Sequence, residues 1–220
     1  DPSQKMDEIG NIVINDKGKI KSIGKNIKNS EIPKTVEKID LKGLIAIPGL
    51  VDMKAFVGEP GFEYKENFRT LSQAALAGGV TSIVTMPNTK PIIDNVSMVD
   101  FIIRRGRDKA RVNLFPCASI TRQLEGTQMT EFGLLKARGI IGFSDVNKTI
   151  QNTELMSRIM NYASDIDVLI MQHAEDYELS KNSCINEGEV ATRLGLQGVS
   201  DIAEKIIIER DLSLLSKFPC

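Results

Sequence analysis

Five apolar runs, alternating with stretches that read as helix, constrain this chain more than any other feature in it. The runs are 44–53, 80–86, 112–118, 140–143 and 168–171. Between them lie 69–77, 96–109, 130–137 and 153–163, and a last helical stretch covers 201–216. In 153–163, Leu155, Met156, Ile159, Met160 and Ala163 recur at helical spacing and share one face. Val99, Ile102 and Ile103 do the same in 96–109. The strand-like runs are apolar almost throughout, the pattern of strands covered on both faces. Repeated strand–helix alternation predicts a parallel sheet in an α/β fold. A closed β/α barrel needs eight strands and typically about 250 residues. The 220 residues here supply five strands. Either the sheet is open, or these residues are part of a larger folding unit.

The first forty or so residues follow a different pattern. Residues 12–14 read as a strand, 19–23 alternate polar with apolar, and Asn15, Asp16, Lys17 and Gly18 between them carry turn chemistry. The boundary is placed at 43/44. Residues 1–43 form a small β domain and 44–220 the β/α part. A β unit of that size cannot bury a core alone, so it is expected to pack on something else.

Charge and cysteine content remove several classes of function. The formal net charge is −1, and the lysines are spread among acids. Phosphate-backbone binding needs clustered Lys and Arg, so no nucleic-acid partner is expected. Cys117, Cys184 and Cys220 show no CxxC spacing, which argues against a zinc–thiolate site and suits a reducing cytoplasm. No apolar run approaches the roughly 18 residues of a membrane helix. There is one histidine, His173, so neither Cys117 nor Cys184 has a second histidine to activate it as a nucleophile.

In parallel α/β folds, function gathers at the C-terminal ends of the strands. Here those ends carry 54–65, 87–91, 118–123, 143–148 and 173–176. GLVDM with EPGFEYKE, AALAGGVTSIVTMPNTKPIID, GFSD, HAED, NEGEVATRLGL and ERDLSLL together resemble dihydroorotase, of the amidohydrolase superfamily. The similarity runs nearly end to end. It implies an amidohydrolase-type (β/α)8 barrel, of which about five strands are present, beside a small β domain built from both chain ends. It also implies a place in de novo pyrimidine synthesis, where the family interconverts carbamoyl-aspartate and dihydroorotate. Zinc serves that chemistry by lowering the pKa of a bound water and polarising the amide carbonyl. The family's later metal-binding histidine and its catalytic aspartate would fall beyond Cys220.

The resemblance breaks at the metal. The family's HxH pair, two residues apart because alternate strand residues point the same way, falls on Lys54 and Phe56. The family's substrate-binding arginine falls on Gly58. Asp145 matches the first acid of the family's FSDDG loop, and the second, a metal ligand, falls on Val146. His173 remains as a remnant ligand and Asn88 as a remnant of the substrate site. The expectation is therefore an inactive homologue with no catalytic residue, no metal and no cofactor. Zinc is required only under the alternative of an active cyclic amidohydrolase. Lys54 is expected either to pair with Asp145 in the vacated site or to reach solvent. Asn88 either meets ligand or caps its loop, and Asp52 supports the loop after the first barrel strand. Glu59, Pro60 and Gly61, like Gly78 and Gly79, read as turn and packing residues. Inactive homologues of this family partner aspartate carbamoyltransferase, so that enzyme and further copies of this chain are the expected partners. A metal-free structural oligomer resembling dihydropyrimidinase-related proteins is the remaining alternative.

Overall fold

Pro48 closes the first of two compact units, 1–48 and 49–220, five residues beyond the boundary placed from sequence. The computed structural model describes residues 5–28, 32, 35 and 37–220. The rest of the expected small β domain lies outside those residues. In the first unit β1 (Asn11–Ile14) pairs antiparallel with β2 (Ile20–Gly24). The turn between them is built on Asn15, whose Oδ1 accepts the N–H groups of Lys17 and Lys19. Gly18 supplies the left-handed conformation with φ of 71°.

The second unit is a five-stranded parallel sheet. Its strands are β3 (Leu50–Ala55), β4 (Val80–Thr85), β5 (Asn113–Ala118), β6 (Gly142–Phe143) and β7 (Leu169–Ile170). Their spatial order is their chain order. Doubly wound sheets reverse strand order part-way and so place helices on both faces. With no reversal, right-handed crossovers put every helix on one face, as in a barrel wall.

The helices are α1 (Phe68–Ala77), α2 (Val96–Lys109), α3 (Phe132–Ala137) and α4 (Thr153–Asp165). After β7 come α5 (Tyr177–Ser180), α6 (Glu189–Leu194) and α7 (Ile202–Leu215). Asparagine starts three of them. The side chains of Asn67, Asn95 and Asn152 accept the free N–H groups of the first turns of α1, α2 and α4. Two short strands, β8 (Ile185–Asn186) and β9 (Gly198–Val199), pair in parallel around α6. They carry no readable periodicity and were not anticipated from sequence.

The first barrel strand starts six residues later than its apolar run. Leu50 N–H bonds to Gly79, and the ladder begins opposite Val80. The strand thus begins only where β4 supplies a partner. Leu44, Ile45 and Ile47 are accordingly exposed.

Alternate strand residues separate two apolar layers. On the helix side Val57, Ala118, Phe143 and Val168 pack with Phe68, Val99, Ile102, Phe132, Leu135, Ile159 and neighbours. Phe132 and Phe143 stack at 3.7 Å between ring centroids. On the other side Val84, Met86, Cys117 and Val146 form a smaller cluster with Ile141 and Met171. Among the described residues no helix is long and apolar enough to cross a membrane.

Truncating the stacked pair tests this layering. Phe143→Ala should lower the unfolding free energy by about 3–5 kcal/mol. Leu134→Ala, on the exposed side of α3, should change it by no more than about 0.5 kcal/mol. Urea midpoints of the two variants measure the contrast.

Candidate functional site

The C-terminal strand ends bring the sequence-predicted residues onto one rim. β3 shifts register between Asp52 and Ala55. Ala55 is buried and the side chain of Lys54 is exposed. Asp52 Oδ1 accepts the Lys54 N–H at 2.9 Å, which gives it the supporting part expected of it. Phe56 is half-buried and meets the Phe62 ring at 6.1 Å, and Phe62 in turn meets Tyr64 at 6.5 Å. The ammonium of Lys65 lies 5.3 Å from the Phe62 centroid. An aromatic patch therefore surrounds Phe56, the residue that the resemblance puts at the second ligand position.

Gly58 is set by the backbone. Its φ is +73°, and a Cβ there would meet Glu66 O at 2.5 Å. An arginine at this position could not fit the loop as it is folded. Next to it Glu59 is buried. Its Oε2 accepts the Phe68 N–H at the start of α1, and its Oε1 accepts Arg105 Nε at 2.8 Å and faces Arg105 Nη2 at 2.6 Å. Glu59 thus ties the β3 loop to α1 and α2. Sequence reading gave it only a turn role, because its partner lies 46 residues away.

After β4, Pro87 and Thr89 hold the loop. Pro87 O accepts the N–H groups of Thr89 and Ile93, and Thr89 Oγ1 donates to Pro91 O. These contacts do the work that a capping side chain would do. The Asn88 Oδ1 is buried and has no hydrogen-bond partner among the described residues. Asn88 borders a cleft of about 270 Å³ lined also by Phe62, Lys90, Ile92, Gln123 and Leu124.

Asp145 is buried at the end of β6. Its Oδ1 accepts the Thr121 N–H at 3.0 Å and its other oxygen accepts the Thr121 hydroxyl. Burial pushes its carboxyl above the usual aspartate range, while the Thr121 bonds and the nearby Lys148 charge pull against that. The expected Lys54–Asp145 pair is not made. Thr121 takes both carboxylate oxygens, and the Lys54 ammonium has no ion pair or hydrogen bond among the described residues. Val146 stands at φ of 62°, costly for a β-branched residue by about 1–2 kcal/mol. Its side chain joins the apolar cluster with Val84, Met86 and Cys117. Cys117 is fully buried there, and burial and the Asp145 charge push its thiol up, so it is inert. His173 is half-buried, its Nε2 3.0 Å from Glu175 Oε2. Hydrogen bonds from Ser180 and His173 hold the Glu175 carboxyl below its usual range.

Comparison with known proteins places this rim. A family model described as "Dihydro-orotase-like" matches residues 43–218. The dihydroorotase of Syntrophus aciditrophicus is 42% identical over 218 residues, covering 99% of this chain and 50% of that protein. The chain belongs to the dihydroorotase-like family. The dihydroorotase of Geobacter metallireducens is 41% identical over 214 residues, 97% of this chain and 50% of its own length. The chain thus spans about half the length of the curated relatives it matches. Among solved structures, the L-hydantoinase (dihydropyrimidinase) of Arthrobacter aurescens aligns with a TM-score of 0.73 at 19% identity, over 96% of this chain and 48% of that one. Dihydroorotase from Saccharomyces cerevisiae in complex with 5-fluoroorotic acid aligns at 0.53 and 15%, over 77% and 44%. At such identities the likeness speaks for the fold, an amidohydrolase-type β/α barrel of which five strands lie in this chain.

The residues on this dihydroorotase-like rim do not fit zinc. A protonated lysine has no lone pair to offer, a phenyl ring and a valine side chain have no donor atom, and Asp145 is spent on Thr121. That leaves His173, whose Nε2 faces Glu175, whereas zinc sites take three or four protein ligands. No group of three or more His, Cys, Asp or Glu able to hold a metal ion forms among the described residues.

Asp145 makes a prediction about pH. A carboxyl raised by burial keeps its proton in the folded state at a pH where the unfolded chain has lost it. The folded state then binds more protons, so this group's contribution to stability falls as pH rises from the ordinary aspartate range of about 4 through the raised value. Asp145→Asn should therefore gain stability relative to the parent as pH rises toward neutrality. Urea unfolding at a series of pH values measures this, and parallel curves for the two proteins would refute it.

Proposed function

We propose that this chain is part of a dihydroorotase-like protein of pyrimidine biosynthesis, acting in the cytoplasm, whose rim does not carry out zinc-dependent hydrolysis. One observation carries the reading. The two alternate positions at the end of β3 where the resemblance puts metal-binding imidazoles hold an ammonium, Lys54, and a phenyl ring, Phe56, and the phenyl packs on Phe62. A cation at that point repels a divalent metal, and the aromatic patch takes up part of the space. The strands and helices need only their packing to persist, whatever happens to the donors. A structural or regulatory partnership with aspartate carbamoyltransferase is the role that the family resemblance suggests for such a protein.

A second reading is favoured by the comparisons. The curated relatives at 40–42% identity across nearly all of this chain carry the name dihydroorotase. Those names lend more support to an active zinc-dependent dihydroorotase than to a partner role. Such an enzyme would have to draw its metal ligands from residues other than Lys54, Phe56 and Val146.

Metal analysis and turnover on the full-length protein separate the two. The first reading expects less than stoichiometric zinc and no hydrolysis of dihydroorotate above the uncatalysed rate. Bound zinc together with hydrolysis abolished by a chelator would establish the second. Elution with aspartate carbamoyltransferase at micromolar concentrations is expected of the partner role, and separate elution refutes it.

A further inference from the structure

Behind the His173 corner of the rim lies a closed polar ring built from α7. Arg210 Nε donates to Asp211 Oδ1 at 2.9 Å, and Nη2 forms an ion pair with the same oxygen at 2.8 Å without a hydrogen bond of its own. Asp211 Oδ2 accepts from Gln172 Nε2 at 3.4 Å, and Gln172 Oε1 accepts the Ile150 N–H at 3.4 Å. Arg210 Nη1 closes the ring on Ile150 O at 2.8 Å and extends to Gln151 O at 3.2 Å. Both backbone groups of Ile150 are thereby held. The Arg210 and Asp211 side chains are only 13% and 18% exposed.

The residues on either side of Ile150 carry this grip to the β7 loop. Thr149 Oγ1 donates to His173 O at 2.5 Å and accepts the Glu175 N–H at 3.0 Å. Gln151 Nε2 donates to Glu175 O at 2.9 Å, and its Oε1 accepts the Tyr177 N–H at 3.4 Å. The carbonyl of His173 and both backbone groups of Glu175 are thus bonded to Thr149 and Gln151, and 150–151 is bonded to Arg210. Adjacent helix residues do not normally face each other. Here both lie beside Ala203, Ile207 and Leu214 on the inward side of α7. A planar guanidinium presents its donors in a fixed, spread fork that spans two carbonyls and a carboxylate, whereas an ammonium gathers its three donors at one point.

We propose that Arg210 and Asp211 are positioning residues for the His173 corner: through Gln172 and 149–151 they fix the β6 and β7 loops so that the imidazole is delivered to Glu175. Neither residue makes a hydrogen bond to His173 or Glu175. The proposal concerns where the imidazole sits, so it stands apart from whether the protein binds zinc or turns over substrate.

His173 is the single histidine of these 220 residues, and in spectra of the nitrogen-labelled full-length protein its ring signals are assigned as those lost in His173→Gln. Arg210→Met and Gln172→Met should each move the His173 ring resonances and speed amide exchange at Ile150 and Glu175 by about tenfold or more. Ile207→Val, a buried cavity on the same helix, should lower stability and leave the ring resonances in place. Ring signals unmoved in the folded variants, or moved equally by Ile207→Val, would overturn the proposal. If Arg210→Met fails to fold, Gln172→Met, which removes no charge, decides alone.

Discussion

Every loop that matters on this protein opens on the same side because each strand–helix–strand crossover turns the same way. With strand order equal to chain order, the helices have one face to cover and the C-terminal strand ends have one rim to share. Lys54, Asn88, Thr121, Asp145 and His173 are far apart in sequence and become neighbours for that reason alone. Reversing one crossover would send its helix to the other face and open a crevice elsewhere.

The two sides of the rim are held by different forces. On the β3 and β4 side there are aromatic contacts among Phe56, Phe62 and Tyr64 and the pairing of the buried Glu59 with the partly exposed Arg105. On the β6 and β7 side the ties are polar, in two sets: Thr121 with Asp145, and Thr149 and Gln151 with the β7 loop and with Arg210. Buried charges are costly unless all their bonding capacity is met. Glu59 meets this by using both oxygens, and Asp145, whose burial favours the protonated form, bonds to Thr121 through both of its own. The same economy explains why Lys54 does not join Asp145: a hydroxyl and an amide already adjacent in the chain satisfy the carboxylate without bringing a second charge out of water.

Val146 shows how little the backbone of the rim depends on the chemistry of its side chains. The residue keeps a left-handed turn that suits glycine or asparagine, and recovers part of the cost by packing on Met86 and Cys117. Gly58 shows the converse, since there the backbone excludes any side chain. Donor groups can therefore be replaced at one position and forbidden at the next within a single fold.

The amino-acid sequence by itself determined the alternation of strands and helices, the Asn15 turn and the kinship carried by its loop motifs. Those signals are local: a side chain's period along its own strand or helix, or its bond to a backbone group a few residues away, needs no distant partner. The tertiary structure alone decided that the strands run in order, that β3 starts at Leu50, that Glu59 meets Arg105, and that Thr121 rather than Lys54 takes Asp145. Each of these is a choice among distant partners, settled by which groups the crossovers bring within bonding distance and by the cost of leaving a buried charge unmatched. The two-residue strands β8 and β9 belong with them, because a segment that short has no period to read and exists only where its neighbour supplies the ladder.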